Sequence, residues 1–230
     1  MCRRRMLGWS AVLMGAGVLG TAVAAGKDAP PGFVAPEMKP IQVGEHSWYV
    51  QGESALGSAG NQNFISNAGF VVTDDSVVVI DALGAPVLAE RLQGIIAGIT
   101  DKPVKTLILT HYHADHIYGA QVFQDAGARV IAHELGREYL FSHTAQGRLE
   151  ASRKDIAPWI NADTRLVEAD TWLSEARTLS VGGVDFVVQP AGPAHTVEDV
   201  VIWVPAEKVL FSGDVVFANR VPYVGEADSR

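Results

Sequence analysis

Cysteine is nearly missing from this 230-residue chain, where Cys2 stands alone. Once Cys2 is removed with a leader segment, no disulfide and no thiolate metal ligand remain. Basic clusters are equally scarce. After Arg3-Arg4-Arg5 no run of Lys or Arg follows, and loss of those three arginines would take the formal net charge from −8 to −11. An acidic surface of this kind disfavours nucleic acid and anionic membranes, because phosphate recognition needs grouped cations. There is no glycine-rich nucleotide loop, no serine-centred nucleophile elbow and no low-complexity segment.

The first residues read as an address. Arg3 to Arg5 form a positive start, Met6 to Val23 are uncharged and apolar, and Ala22-Val23-Ala24 supplies a small-x-small cleavage site. Residues 1–24 are therefore expected to be a signal peptide, of the Sec type or, from the Arg3 to Leu7 pattern, the twin-arginine type. The segment is glycine-rich and near the minimum spanning length, which argues against an uncleaved anchor. The protein is expected in the periplasm or secreted, with no stable membrane insertion. Residues 25–40 carry Pro30, Pro31, Pro36 and Pro40 and read as an extended linker or arm. Residues 41–230 suffice for one domain with a real core.

Within that domain the apolar pattern predicts strands at 46–50, 64–73 and 76–80. A helix is expected over 86–99, with Pro86 in its first turn and Val87, Leu88, Leu92, Ile95, Ile96 and Ile99 on one face. A buried strand follows at 104–109, then a helix at 117–125, a strand at 128–132 and a helix at 135–149. Beyond Thr164 the pattern is mostly strand: 165–169, 178–181, 184–189, 200–204 and 208–211. Alone, this gives a mixed α/β domain, with helix-covered strands in the first part and bare strands in the second.

One segment carries the chemistry. His111-Tyr112-His113-Ala114-Asp115-His116 puts three imidazoles and a carboxylate on six residues, directly after an apolar strand. Such crowding is hard to desolvate unless a cation neutralises it, so a merely solvated histidine loop is the poorer reading. Imidazole nitrogen with carboxylate oxygen suits Zn²⁺ and tolerates iron or manganese. Residues two apart leaving a strand point the same way, so His111 and His113 can grip one ion.

The motif resembles that of the metallo-β-lactamase superfamily, and the resemblance extends through Asp81 at a strand end, His195 in Gly192-Pro193-Ala194-His195-Thr196, and Asp214 in Ser212-Gly213-Asp214. It covers roughly residues 41–220 and implies an αββα sandwich with metals at one edge. It implies two zinc ions: His111, His113 and His195 on the first, Asp115 and His116 on the second, and Asp214 bridging both. Water between them would become hydroxide near neutral pH and attack an acyl carbonyl, with Asp115 and Asp214 as the acidic residues of catalysis. Asp81 would orient a ligand or the motif loop, or else only cap its strand. Asp214 stands where one β-lactamase subgroup has cysteine, which brings the chain nearer the glyoxalase II-like and quinoprotein-associated periplasmic hydrolases. The superfamily's usual final histidine, often after glycine, does not follow His195. The C-terminal part, with its closing helices, is thus expected to be missing, which would leave apolar sheet surface uncovered.

The expected function is an exported zinc-dependent hydrolase of a small acyl compound: a thioester, lactone or β-lactam. The rivals are a di-iron redox member of the same fold, whose pattern usually has a carboxylate in place of His113, and a non-catalytic metal-binding or scaffold protein. His46, His133 and His143 fall outside the ligand series. Asn61, Asn63 and Asn67 border a loop that could reach substrate, Tyr112 and Tyr118 are candidate oxyanion donors, and Trp48, Trp159, Trp172 and Trp203 read as core or groove wall.

Overall fold

A computed structural model describes residues 29–218. The expected signal peptide, the start of the expected linker and residues 219–230 lie outside the described residues. A few residues of the rest of the arm anchor it to the domain, while most of it is exposed. Met38 is buried, the Phe33 ring meets Trp159 at 4.6 Å between centroids, and the Pro36 carbonyl accepts a hydrogen bond from Arg91.

Two sheets form the frame. In the larger, β1 (Pro40–Gln42), β2 (Ser47–Val50), β3 (Ala68–Val72) and β4 (Val77–Ile80) run antiparallel in sequence order. Then β5 (Val104–Ile108), β6 (Arg129–His133) and β7 (Thr171–Leu173) continue parallel to β4. Parallel neighbours need crossovers. Helices supply them: α1 (Pro86–Ile99), then α2 (Ala114–Ile117) with α3 (Ala120–Asp125), then α4 (Gly136–Leu140) with α5 (His143–Asp155). The smaller sheet is an antiparallel meander of β8 (Arg177–Val181), β9 (Val184–Pro190), β10 (Val200–Val204) and β11 (Val209–Phe211).

The period of two along the central strands explains the layering. Val77, Val79, Leu107 and Val130 face the helices, joining Leu88, Leu92, Ile96 and Phe123 in one core. Val78, Ile80, Ile108 and Ile131 face the other way and pack on Phe186, Val188, Val200, Ile202 and Val204 of the smaller sheet. Each central strand is thus buried on both faces and reads as a continuous apolar run. The smaller sheet is covered on its inner face alone. Across its outer face Trp203 pairs with Leu210 and Val187, and Trp203 and Leu210 are 37% and 49% exposed. Among the described residues no helix covers this face, so the layers described are helix, sheet, sheet.

Three expectations are corrected. Residues 165–169 form no strand; Val167 and Ala169 are buried, but pairing with β6 starts only at Thr171. The helix expected over 117–125 breaks at Tyr118-Gly119, where the chain presses on the Ala82 carbonyl so closely that a side chain would collide. The helix expected over 135–149 breaks at Phe141-Ser142, because the Ser142 hydroxyl caps a new helix by accepting the Ala145 N–H at 3.1 Å. Among the described residues no helix is long and apolar enough to cross a membrane.

Candidate metal centre

Strand direction decides which residues meet. β4 and β5 are parallel neighbours, so the loops leaving their C-terminal ends, carrying Asp81 and His111 to His116, emerge side by side. In the smaller sheet β10 and β11 are antiparallel, so His195 just before β10 and Asp214 just after β11 share an edge. The Val200 N–H donates to the Thr110 carbonyl at 2.9 Å, pinning the start of β10 to the end of β5. Both edges then face each other.

His111, His113 and His195 converge so that one nitrogen of each lies within 4.8 Å of the others; His111, His116 and Asp214 form a second cluster of the same size. His195 Nε2 lies 2.8 Å from His113 Nδ1. Asp214 straddles the clusters, Oδ1 3.3 Å from His116 Nε2 and Oδ2 3.6 Å from His195 Nε2. Asp115 differs from expectation. Its Oδ2 is 3.6 Å from His116 Nε2, yet it belongs to neither tight cluster. Two carboxylates beside one imidazole repel, and the Asp115 side chain stays partly exposed while its carbonyl accepts the Ser66 hydroxyl.

Asp81 is the organiser, and its role can be read atom by atom. At φ +63° it leaves the strand in a left-handed turn. Its Oδ1 accepts the Thr110 N–H at 2.8 Å; its Oδ2 accepts the Thr110 hydroxyl at 2.8 Å and lies 2.9 Å from His116 Nδ1. A carboxylate only accepts, so His116 carries its proton on Nδ1. Thr110 gives its one hydroxyl hydrogen to Asp81, so at 3.0 Å from His111 Nδ1 it must accept the His111 proton. One buried carboxylate thereby fixes both tautomers. The remaining nitrogens, His111 Nε2 and His116 Nε2, are buried with no hydrogen-bond partner. Buried ring nitrogens without partners are rare in a folded interior, and these two aim into the clusters. The residues fit a bound divalent cation.

The electrostatics of His111 and His113 agree. Burial, then His116, His113 and His195, holds the His111 imidazole well below its ordinary pKa. Burial and the neighbouring His195 push His113 down to about 3. These two are neutral at pH 7, the state metal binding requires. Burial also works against charge on His116, but Asp81, Asp115 and Asp214 together raise it well above the ordinary range. Burial would raise Asp214, and the imidazoles, His116 first, outweigh it and bring the carboxyl to about 2.

Other candidates fall away. The Tyr112 hydroxyl donates to the Val167 carbonyl and its ring stacks on Trp172, so it points from the site into the core. Tyr118 is buried with its hydroxyl at Ser152. His46 and His143 are exposed, and His133 accepts the Leu135 N–H. Asn61 donates to the Leu56 carbonyl of its own loop and Asn63 to the Gly84 carbonyl beyond β4, whereas Asn67 borders the site. Trp48 stacks on Phe70 and Trp159 is buried. Two site residues were missed by sequence reasoning. Asp199 accepts the Thr196 N–H and hydroxyl at 2.7 and 2.9 Å, clamping the loop that presents His195. Glu198, raised by burial, accepts the Tyr112 N–H at 3.1 Å and ties that loop to the histidine turn. The spacing Thr196-x-x-Asp199 is a hydroxyl-to-carboxylate loop signature that could have found the first.

Comparison with known proteins agrees with this geometry. The family model described as the metallo-β-lactamase superfamily matches residues 62–229. The chain belongs to that superfamily. It is 30% identical over 148 residues to the 2,4-dinitroanisole O-demethylase subunit alpha of Nocardioides sp. strain JS1661, covering 64% of this chain and 40% of that protein. It is 25% identical to metallo-β-lactamase IND-1 of Chryseobacterium indologenes over 74% of this chain and 62% of that one. It is 28% identical to the hydroxyacylglutathione hydrolase of Bdellovibrio bacteriovorus over 67% of this chain and 50% of that one. The chain thus spans less than two thirds of each of these relatives. Among solved structures, a metallo-β-lactamase from Pontibacter korlensis superposes with a TM-score of 0.62 at 23% identity, covering 84% of this chain and 80% of that one. The sandwich fold is shared.

Proposed function

We propose that this chain is a metal-dependent hydrolase that holds two zinc ions and cleaves a small acyl compound, a thioester, lactone or β-lactam. The observation that carries the reading is the pair of buried nitrogens, His111 Nε2 and His116 Nε2, left without partners while Asp81 and Thr110 fix the opposite ring nitrogens. His111, His113 and His195 would hold one ion, and His116, Asp214 and Asp115 the other. A zinc ion in such a site lowers the pKa of coordinated water to about 7 and polarises a carbonyl. Asp214, placed between the clusters, keeps them in register, and its low pKa keeps it anionic. Asp115, partly exposed beside His116, would accept a proton from water and return it to the leaving group, a reading supported by its carboxylate standing 3.6 Å from His116 Nε2. The acidic sites and absence of cysteine ligands favour the glyoxalase II-like and quinoprotein-associated branch. We also read residues 1–24 as an export signal; exported protein should begin at Ala25 or Gly26 by N-terminal sequencing.

The test is metal content together with turnover of a generic thioester, a lactone and a chromogenic β-lactam. Two zinc ions per chain with hydrolysis of at least one substrate, abolished in His113→Ala and retained in His143→Ala, is expected. Zinc binding without hydrolysis would leave a metal-binding protein, and iron with redox activity would favour the di-iron rival.

A further inference from the structure

Two cavities, of about 420 and 350 Å³, share the Asp214 side of the metal centre, and Asn67 lines both. The Gly52 N–H lies 3.0 Å from Asn67 Oδ1. A backbone N–H can only donate, so the oxygen of the carboxamide must face Gly52. The NH₂ group is then left over, and it donates to no described residue. Gly52 enforces this arrangement, since a side chain there would strike the Ser66 backbone. The smaller cavity contains Asp214, and no Lys or Arg lines it among the described residues. In the larger cavity Lys208 is the one lysine or arginine among the lining residues, and it is exposed. Around Asp214 the other titratable neighbours are imidazoles and carboxylates, and such carboxylates repel the oxygens of an acyl group. A neutral N–H donor there suits a carbonyl oxygen better than it suits a carboxylate.

A separate groove beside His113 is walled by Leu135 and Tyr139 and carries the carboxylates Glu138 and Glu198, the latter already accepting the Tyr112 N–H. It offers acceptors where the Asn67 side offers a donor. We propose that Asn67 is a substrate-binding residue whose NH₂ donates to an oxygen of the acyl portion, so that the acyl group lies on the β3 side of the centre and the leaving group toward His113. This assignment rests on the hydrolase reading above.

Asparagine and aspartate separate this role from a structural one. Asn67→Asp keeps an oxygen for the Gly52 N–H and loses the NH₂, whereas Asn67→Ala loses both. With the zinc-loaded full chain and whichever substrate it turns over, Asn67→Asp should keep its melting temperature and zinc content while kcat/KM falls about 10- to 100-fold. A structural Asn67 would instead leave Asn67→Asp at wild-type kcat/KM, and that result overturns the proposal. Equilibrium binding of a ketone analogue of the thioester, in which CH₂ replaces sulfur, is the second measurement. Wild type should bind it at least fivefold more tightly than Asn67→Asp; equal affinity overturns the proposal even if turnover differs. If wild type binds the analogue with that preference yet hydrolyses none of the three substrates, Asn67 is a carbonyl-binding donor, while the hydrolase reading and with it the placement of the leaving group are overturned. A wild-type chain that neither binds nor hydrolyses overturns both.

Discussion

Asp81→Asn changes one atom and should disable a ligand of each metal cluster. The Asp81 carboxylate serves three donors: the Thr110 N–H, the Thr110 hydroxyl and His116 Nδ1–H. An amide has one oxygen. The Thr110 N–H cannot reverse its polarity, so the oxygen stays with it and the new NH₂ faces both the hydroxyl and His116. The Thr110 hydroxyl hydrogen loses its acceptor. His116 must either break the contact or move its proton to Nε2, the nitrogen turned toward Asp214. Losing an outer partner of a metal-bound imidazole weakens metal binding by about 10- to 100-fold, or about 1.4–2.7 kcal/mol. The buried hydrogen bonds to the charged acceptor contribute about 1.5–3 kcal/mol each to folding. In a domain of this size each kcal/mol lowers the melting temperature by about 2–4 °C. Chelator competition would read the affinities, with circular dichroism confirming folded protein. Thr110→Val should weaken the His111 cluster more than the His116 contact, because His116 meets Asp81 directly. If folded Asp81→Asn holds both ions within twofold of wild type, the tautomer argument is wrong.

Asp199→Ala should free the His195 loop, lowering stability by about 1–3 kcal/mol through the stranded Thr196 N–H; thermal melts and zinc stoichiometry would show the two losses together. Gly69→Ala places a methyl against the Phe211 ring where β3 passes β11, and overpacking of this kind costs about 1–3 kcal/mol in denaturant titration. A wild-type midpoint would mean that Phe211 has room to move. The metal-free protein should lose stability as pH falls from about 6.5 toward 3. His111 and His113 stay neutral when folded but take up protons when unfolded, so the unfolded state binds more protons in that window. The slope would be about 1.4 kcal/mol per pH unit for each histidine, and a flat profile of denaturation midpoint against pH would refute it.

The parts legible in the sequence were those whose signal is local. Helix α1 was read to both ends, because Pro86 marks its start and the apolar face runs unbroken to Ile99. The histidine turn was plain because four potential ligands, three imidazoles and a carboxylate, crowd six positions. Breaks caused by tertiary contact were not legible. Gly119 interrupts its helix because the Ala82 carbonyl lies against it, and nothing in residues 117–125 announces Ala82. The segment 165–169 was read as a strand because its buried positions, Val167 and Ala169, alternate as a strand's do, and burial alone does not report sheet pairing. Likewise the Asp81 carboxylate and the His116 ring are 35 positions apart, and their partnership follows only once β4 and β5 lie side by side. The Tyr112 hydroxyl faced inward for a comparable reason: on a tight turn, a residue between two ligands must point away from them.

His113 and His195 stand on loops of different sheets, 82 positions apart in the chain. With Cys2 the only cysteine, no disulfide spans that interval. An ion gripped from both sides would serve as a removable cross-link, absent once the chain unfolds. Its contribution would follow mass action, reaching about 2.7 kcal/mol when free metal stands a hundredfold above the dissociation constant. Resistance to proteases would then track the supply of metal around the protein and be indifferent to the redox state. Scarcity of the ion would remove the protein itself as well as its activity.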